Sequence, residues 1–272
     1  QRVLDAAGNT VVEDKIEEQR ERQRTFVLLG LGVTYQAGNT VELYSNISQN
    51  YRSITFNDLR IATHNIAEDD NMQDERGSNF DIGARGTVKD FLTFDASLFY
   101  LFYAKKIGLL LQADQPPLFL PYRLRTNIAD ARTIGLESFV EFDLLKLLIK
   151  EPRMPLGLSI FSNLTIQQGK YINTDDPAIR GSQVELVPPL MLRTGSQFSI
   201  EQFSLSWQAA YIQEHYTEAT NAEFTSTAVN GIIPSYYVMD VAASYNWKWF
   251  RLETGINNLT DNRYFTRRAE GY

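Results

Sequence analysis

Gln112, Gln115, Arg123 and Arg125 fall within one polar stretch running from Ala104 to Thr126. A guanidinium presents a planar fork of donors that matches a carboxylate in two parallel hydrogen bonds, and a glutamine amide supplies further donors. The four together suit an anionic, oxygen-rich ligand and form the leading candidate binding group. The plainer alternative is a solvated loop, because arginine and glutamine are mostly exposed and bind water. Arg52, Arg60 and Arg180 are weaker candidates of the same kind.

Other chemistry-bearing residues point less far. Asp69, Asp70, Asn71, Asp74 and Glu75 could offer hard oxygen ligands to calcium, but their spacing and glycine placement do not fit an EF-hand, and a solvated acidic loop is favoured. His64 and His215 are the only histidines and stand far apart, and there is no cysteine, so neither a catalytic pair nor a metal cluster is expected. Gly30 and Gly32 lie in an apolar strand without the third glycine and following helix of a phosphate loop. Glu137 and Glu141 share one strand face, as expected of charge ladders between neighbouring strands. With no nucleophile elbow, the chain is read as a non-enzyme that needs no cofactor.

The elements that must carry these residues are strands. Phe203, Leu205, Trp207, Ala209 and Tyr211 alternate with Ser204, Ser206, Gln208 and Ala210, and Phe80, Ile82, Ala84, Gly86 and Val88 alternate with Asp81, Gly83, Arg85, Thr87 and Lys89. A period of two means strand, and the charged second face must be wet. The same pattern predicts strands at Arg24–Tyr35, Val41–Tyr51, Asn79–Lys89, Leu92–Tyr103, Asn127–Phe142, Gly157–Lys170, Leu190–Gln197, Phe203–Tyr216, Tyr236–Tyr245 and Phe250–Asn257.

Periodicity alone leaves a soluble sandwich and a membrane barrel equally open. Length separates them: runs of about ten residues suit a tilted strand crossing a bilayer, whereas soluble strands average about five or six. Tyr100, Phe102, Tyr103, Tyr211, Tyr216, Tyr236, Tyr237, Tyr245, Trp247 and Trp249 gather at the predicted strand ends, as in two aromatic girdles. Hydrophobic residues make up 43% of the chain, but no stretch approaches the roughly 18 uninterrupted apolar residues of a helical span. A net charge of −7 argues against a nucleic-acid partner, which would require a basic face. The fold class is therefore all-β, an antiparallel transmembrane β-barrel in contact with outer-membrane lipid.

Connections alternate in length. Gln36–Thr40, Asp90–Phe91, Phe198–Gln202 and Asn246–Trp249 are tight, while Arg52–Ser78, Ala104–Thr126, Tyr171–Pro189 and Thr217–Ser235 are long and polar. Bacterial barrels show this asymmetry between periplasmic turns and outer loops. Asp143–Leu156, on the short side, carries a leucine cluster that suits either a small amphipathic helix or extended strands. Counting strands from this alternation puts both ends of the sequence on the long-loop side. About ten strands of a larger barrel are then expected, with strands missing at each end, since an open sheet edge is not tolerated in lipid. Residues 1–24 are charged and lack a signal-peptide core, so an export signal is expected upstream.

Gly255-Ile256-Asn257-Asn258-Leu259-Thr260-Asp261-Asn262-Arg263-Tyr264 resembles the Asn-Leu-x-Asp-x-x-Tyr signature near the end of TonB-dependent outer-membrane receptors. Gly135-Leu136-Glu137, Leu43-Tyr44-Ser45-Asn46 leading to Tyr51-Arg52, and Pro188-Pro189 are similar to further features of that family. Where the family pattern continues Phe-Arg-Pro, this chain reads Tyr51-Arg52-Ser53, which affects the local loop path. Tyr264-Phe265-Thr266-Arg267-Arg268 with Gly271-Tyr272 resembles the ferric citrate receptor subclass. The resemblance implies a barrel of about 22 strands, with residues 1–272 its C-terminal portion and the plug domain and final strand absent. It implies active uptake of an iron chelate, such as ferric citrate or a siderophore, energised by the TonB complex through that plug. It places the protein in the outer membrane of a Gram-negative bacterium. The alternatives are a passive porin or adhesion scaffold, a cobalamin or glycan receptor, an outer-membrane hydrolase on a small barrel, and a soluble carbohydrate-binding sandwich.

Overall fold

Alternation of apolar and polar side chains resolves into ten long strands, each hydrogen-bonded antiparallel to the next in sequence. The computed structural model describes residues 2–4, 10–13, 24–55, 58, 66–113, 121–149, 155–174, 176–223 and 231–268. The strands are β1 (Gly30–Gln36), β2 (Val41–Arg52), β3 (Glu75–Val88), β4 (Leu92–Ala113), β5 (Pro121–Asp143), β6 (Leu156–Asn173), β7 (Leu190–Ile200), β8 (Phe203–Ile212), β9 (Tyr236–Trp247) and β10 (Phe250–Ile256). A short strand, Ile66–Glu68, joins the sheet in parallel beside β5.

Register carries the alternation across the whole sheet. Leu31 faces Ile47, Ile47 faces Phe80, Phe80 faces Tyr100 and Tyr100 faces Ile134, and all five are exposed. Farther along, Leu192 opposes Tyr211 and Tyr211 opposes Tyr237. A continuous exposed apolar face of this extent is what the outer surface of a membrane barrel wall presents. A two-sheet sandwich would cover that face, so the soluble alternative falls away. No helix among the described residues is long and apolar enough to cross a membrane.

The opposite face is polar and cross-linked. Arg85 pairs with Glu42 at 2.6 Å, Gln36 donates to Glu42 at 2.8 Å, Tyr44 to Asp95 at 2.7 Å and Gln208 to Asp240 at 2.9 Å. The expected charge ladder is thus real, but not at Glu137 and Glu141. Glu137 lies opposite Ser97 and Thr165, and Glu141 opposite Thr93 and Phe161.

On this face three glycines seat an aromatic ring from the strand paired with them. Tyr44 lies opposite Gly83, Phe99 opposite Gly135 and Phe161 opposite Gly195. A Cβ on these glycines would stand 2.5, 2.5 and 2.7 Å from ring atoms of Tyr44, Phe99 and Phe161 respectively. The missing side chain makes room for the ring, as with aromatic cover of sheet glycines elsewhere.

All ten predicted strands are present, with different ends. β1 begins at Gly30 rather than Arg24, and β8 stops at Ile212, after which His215–Tyr216 pairs separately with Ile232–Ile233. The largest correction concerns Ala104–Thr126: β4 and β5 run on through most of it as paired arms above the wall. Lys105 takes a left-handed conformation (φ 57°) and the register shifts around Lys106, so the arms continue past an irregularity that reads as a loop. Tyr100, Phe102 and Tyr103 consequently sit within β4 rather than at its end. The β5–β6 connection contains a short helix, α1 (Leu144–Leu148), capped by Asp143, whose side chain accepts from the Lys146 N–H at 3.1 Å.

The buried apolar core lies at the long-loop end, not within the wall. Ile128, Ala129, Ala131, Tyr171, Ile179, Val184 and Ala219 form one cluster, and Ile54, Met72 and Ile107 a second.

Candidate ligand cleft at the long-loop end

The upper arm of β5 places Arg123 and Arg125 two residues apart, so strand geometry sends both side chains to one side. On one flank β4 sets Leu111 and Leu109 opposite them, and on the other Ile66–Glu68 pairs in parallel, Ile66 with Arg123 and Glu68 with Arg125. The amide of Asp69 donates to the Arg125 carbonyl at 2.9 Å, and the Thr126 hydroxyl donates to the Asp69 carboxylate at 2.5 Å. The arginine-bearing segment is therefore held from both sides.

Both arginines line a cleft of about 240 Å³ together with Asp58, Gly108, Ile128, Glu185, Glu218 and Ala219. Gly108 makes room for the Ile128 side chain in the lining, since a Cβ there would stand 2.5 Å from Cδ1 of Ile128. The three carboxylates each have partners. Asp58 accepts from Arg52, the Thr55 amide and the Thr55 hydroxyl; Glu185 pairs with Lys106 at 2.6 Å and accepts from the Tyr171 hydroxyl; Glu218 accepts from Thr220 and the Ala222 amide. Burial works against the charge on Asp58, but the Thr55 and Arg52 hydrogen bonds outweigh it and hold the carboxyl below its ordinary range. The cleft thus brings two guanidinium groups together with three carboxylates that help hold its walls.

Of the predicted ligand group, Arg123 and Arg125 come together at the cleft. Gln112 is exposed on β4 opposite Tyr122 and is not part of the cleft lining, and Gln115 lies outside the described residues. Arg60 and His64 also lie outside them. Arg52 is a structural bridge between Asp58 and Glu75, both at 2.8 Å, and Arg180 donates to the Thr174 carbonyl. His215 is buried, with Nδ1 against the Gln213 carbonyl.

The acidic run is likewise internal scaffolding. Asp74 takes hydrogen bonds from Arg24 at 2.6 Å, Tyr51 at 2.5 Å and the Ile54 amide at 2.9 Å. Burial opposes its charge, yet these donors keep the Asp74 carboxyl below its ordinary value. Glu75 accepts from Arg52 and from the Ile107 amide. Among the described residues no group of three metal-ligating side chains converges. Sequence reading missed Asp58, Glu185 and Glu218, which reach the cleft from three different connections and share no local pattern.

Residues 5–259 match the family described as TonB dependent receptor-like, beta-barrel. The chain belongs to the TonB-dependent receptors. Its wall superposes on the unliganded ferric citrate transporter FecA with a TM-score of 0.67 at 18% identity, covering 88% of this chain and 34% of FecA. The copper transporter OprC gives 0.65 at 16% identity over 89% of this chain and 35% of its own. The ferric yersiniabactin uptake receptor FyuA from Yersinia pestis gives 0.63 at 16% identity over 88% and 33%. The chain spans about a third of the length of these structures. No curated protein sequence matches it.

In this TonB-dependent receptor the Asn-Leu-x-Asp-x-x-Tyr segment forms a turn locked by its own side chains. Asn258 takes φ 50° and Asp261 φ 48°, conformations that asparagine and aspartate tolerate. The Asn258 side chain donates to the Asn262 carbonyl at 3.0 Å and accepts from the Asn262 amide at 3.1 Å. Asn262 donates to the Tyr237 carbonyl, the Asn258 amide to Asp240, and Tyr264 stacks on Tyr236 with centroids 4.6 Å apart. The signature therefore pins the chain after β10 back onto β9.

Proposed function

We propose that this chain is the C-terminal portion of the barrel of an outer-membrane receptor for active uptake of an anionic iron chelate, ferric citrate or a siderophore, in a Gram-negative bacterium. The observation that carries the ligand class is the placement of Arg123 and Arg125 side by side on the cleft. Two guanidinium forks at that spacing suit the carboxylate or hydroxamate oxygens of a chelate. Gln112, exposed on β4, would add amide donors as the chelate approaches, and Gln115, outside the described residues, is assigned the same role from its place in the sequence. The family supports energy coupling through TonB, with a plug domain elsewhere in the full protein supplying the contact. The role is transport, and no bond in the cargo is broken by this chain.

The test is uptake of radiolabelled iron by cells carrying the full-length receptor or its Arg123→Ala/Arg125→Ala form, with ferric citrate and a hydroxamate siderophore compared at matched surface levels. Loss of a charge-assisted hydrogen bond is expected to weaken chelate binding about tenfold per arginine. Unchanged uptake of every anionic chelate would reject the assignment.

A further inference from the structure

At the short-turn end of the sheet, β1–β2, β3–β4, β7–β8 and β9–β10 are joined by tight turns, but β5 and β6 are joined through the helix α1. Helical spacing puts Leu144, Leu147 and Leu148 on one face, at i, i+3 and i+4. The other side of the helix faces inward: Leu145, Lys146 and Ile149 line an open cleft with Thr87, Thr93 and Asp143. Leu144 is half-buried, Leu147 50% exposed and Leu148 75% exposed, so among the described residues the far end of the leucine face is left uncovered.

That face continues the lipid-facing surface. The last outward residue of β5, Phe142, lies opposite Ile160, both exposed, and the chain passes from Phe142 through the Asp143 cap directly into α1. The β9–β10 turn at the same end carries Trp247 and Trp249, 55% and 92% exposed, with the Lys248 ammonium 5.9 Å from the Trp247 ring centroid. Exposed indoles beside a lysine are the side chains that settle at a bilayer interface. A short amphipathic segment with bulky apolar residues on one side and a charged residue on the other behaves alike.

We propose that α1 is an interfacial anchor lying on the periplasmic leaflet of the outer membrane, with Leu144, Leu147 and Leu148 seated among the upper acyl chains and Lys146 on the inward, wet side. The occupant of the leucine face is phospholipid. The anchor would fix the depth of the β5–β6 end of the wall, which bears the two arginines at its opposite end. It rests on the membrane-barrel reading, and the experiment separates the two.

In the full-length receptor, Leu148→Cys, Lys146→Cys and Leu136→Cys are introduced one at a time as the sole cysteine, spin-labelled and reconstituted into phosphatidylethanolamine–phosphatidylglycerol bilayers. Collisions with molecular oxygen, which concentrates in lipid, are compared with collisions with a water-soluble nickel chelate. The label at 148 is expected to favour oxygen severalfold over the label at 146, approaching the outward wall position 136. Nickel-dominated collisions at 148 with oxygen-dominated collisions at 136 would overturn the anchor while keeping the barrel. A label at 148 shielded from both agents would also overturn it, by showing a protein contact, and nickel-dominated collisions at 136 would overturn the membrane reading itself.

Discussion

The Arg52 guanidinium reaches Glu75 at 2.8 Å across the paired ends of β2 and β3, where the residues lie directly opposite. Its other nitrogen forks onto Asp58, whose carboxylate is buried at the rim of the cleft. Arg52→Ala would leave two largely buried acids without their cation. Because the Arg52 side chain is 45% exposed, solvent screening reduces the loss to about 1 kcal/mol. Faster proteolysis in residues 52–75 than in the parent protein is the expected readout, with Arg52→Lys intermediate.

Acid should loosen the same region. Asp58 and Asp74 both have folded pKa values below the ordinary 3.8, so they contribute stability that is complete above that value and is lost as pH falls through the lower folded one. Hydrogen exchange of residues 52–75 should stay flat from about pH 6 to about pH 4 and accelerate below it, after correction for intrinsic rates. Asp74→Asn should remove part of that acid dependence.

Gly135 tolerates no side chain. A Cβ would stand 2.5 Å from Cζ of Phe99 and 2.6 Å from the Ile166 carbonyl oxygen. Gly135→Ala should destabilise the barrel by about 1–3 kcal/mol, read as a lower unfolding temperature in detergent. Adding Phe99→Ala should not restore it, because the carbonyl contact remains.

Asn258 combines a left-handed backbone with two side-chain bonds to Asn262. Asn258→Gly keeps the backbone freedom and loses the bonds, whereas Asn258→Ala loses both. Alanine should cost about 1 kcal/mol more than glycine, the usual difference at such a position, measured by thermal unfolding of the full-length receptor.

At the cleft, charge and shape can be separated. Arg125→Lys keeps the cation but loses the fork, so under the proposed function chelate binding should fall between that of the parent and Arg125→Ala. Equal binding by the lysine form and the parent would show that a point charge suffices.

Strand number, direction and face were legible because alternation is local: Phe80, Ile82 and Ala84 already mark the outward side of β3. Strand ends were less legible where the stopping signal is ambiguous. Lys105 and Lys106 look like the start of a polar loop, yet the chain bulges there and pairs for several more residues, since backbone pairing in the arms needs no apolar alternation. Arg123 and Arg125 were visible as a group because they fall in one polar stretch, but that they share one side of a strand was not, since β5 starts at Pro121 where a loop was expected. Asp58, Glu185 and Glu218 were not, because only the packing of separate loops over the Ile128 and Ala219 cluster brings them to the same cleft.

The ring-on-glycine seats join β2 to β3, β4 to β5 and β6 to β7, and each of these pairs is connected through the long-loop end. β8 and β9, connected there too, have the Gln208–Asp240 hydrogen bond in the corresponding place. A tight turn dictates alignment by its own length, but a long loop does not, and a slip of one residue would exchange the apolar and polar faces. The interior contacts therefore act as indexing marks that hold alignment where the connection cannot. Insertions and replacements in the long loops can then reshape the cleft while the wall beneath keeps its count.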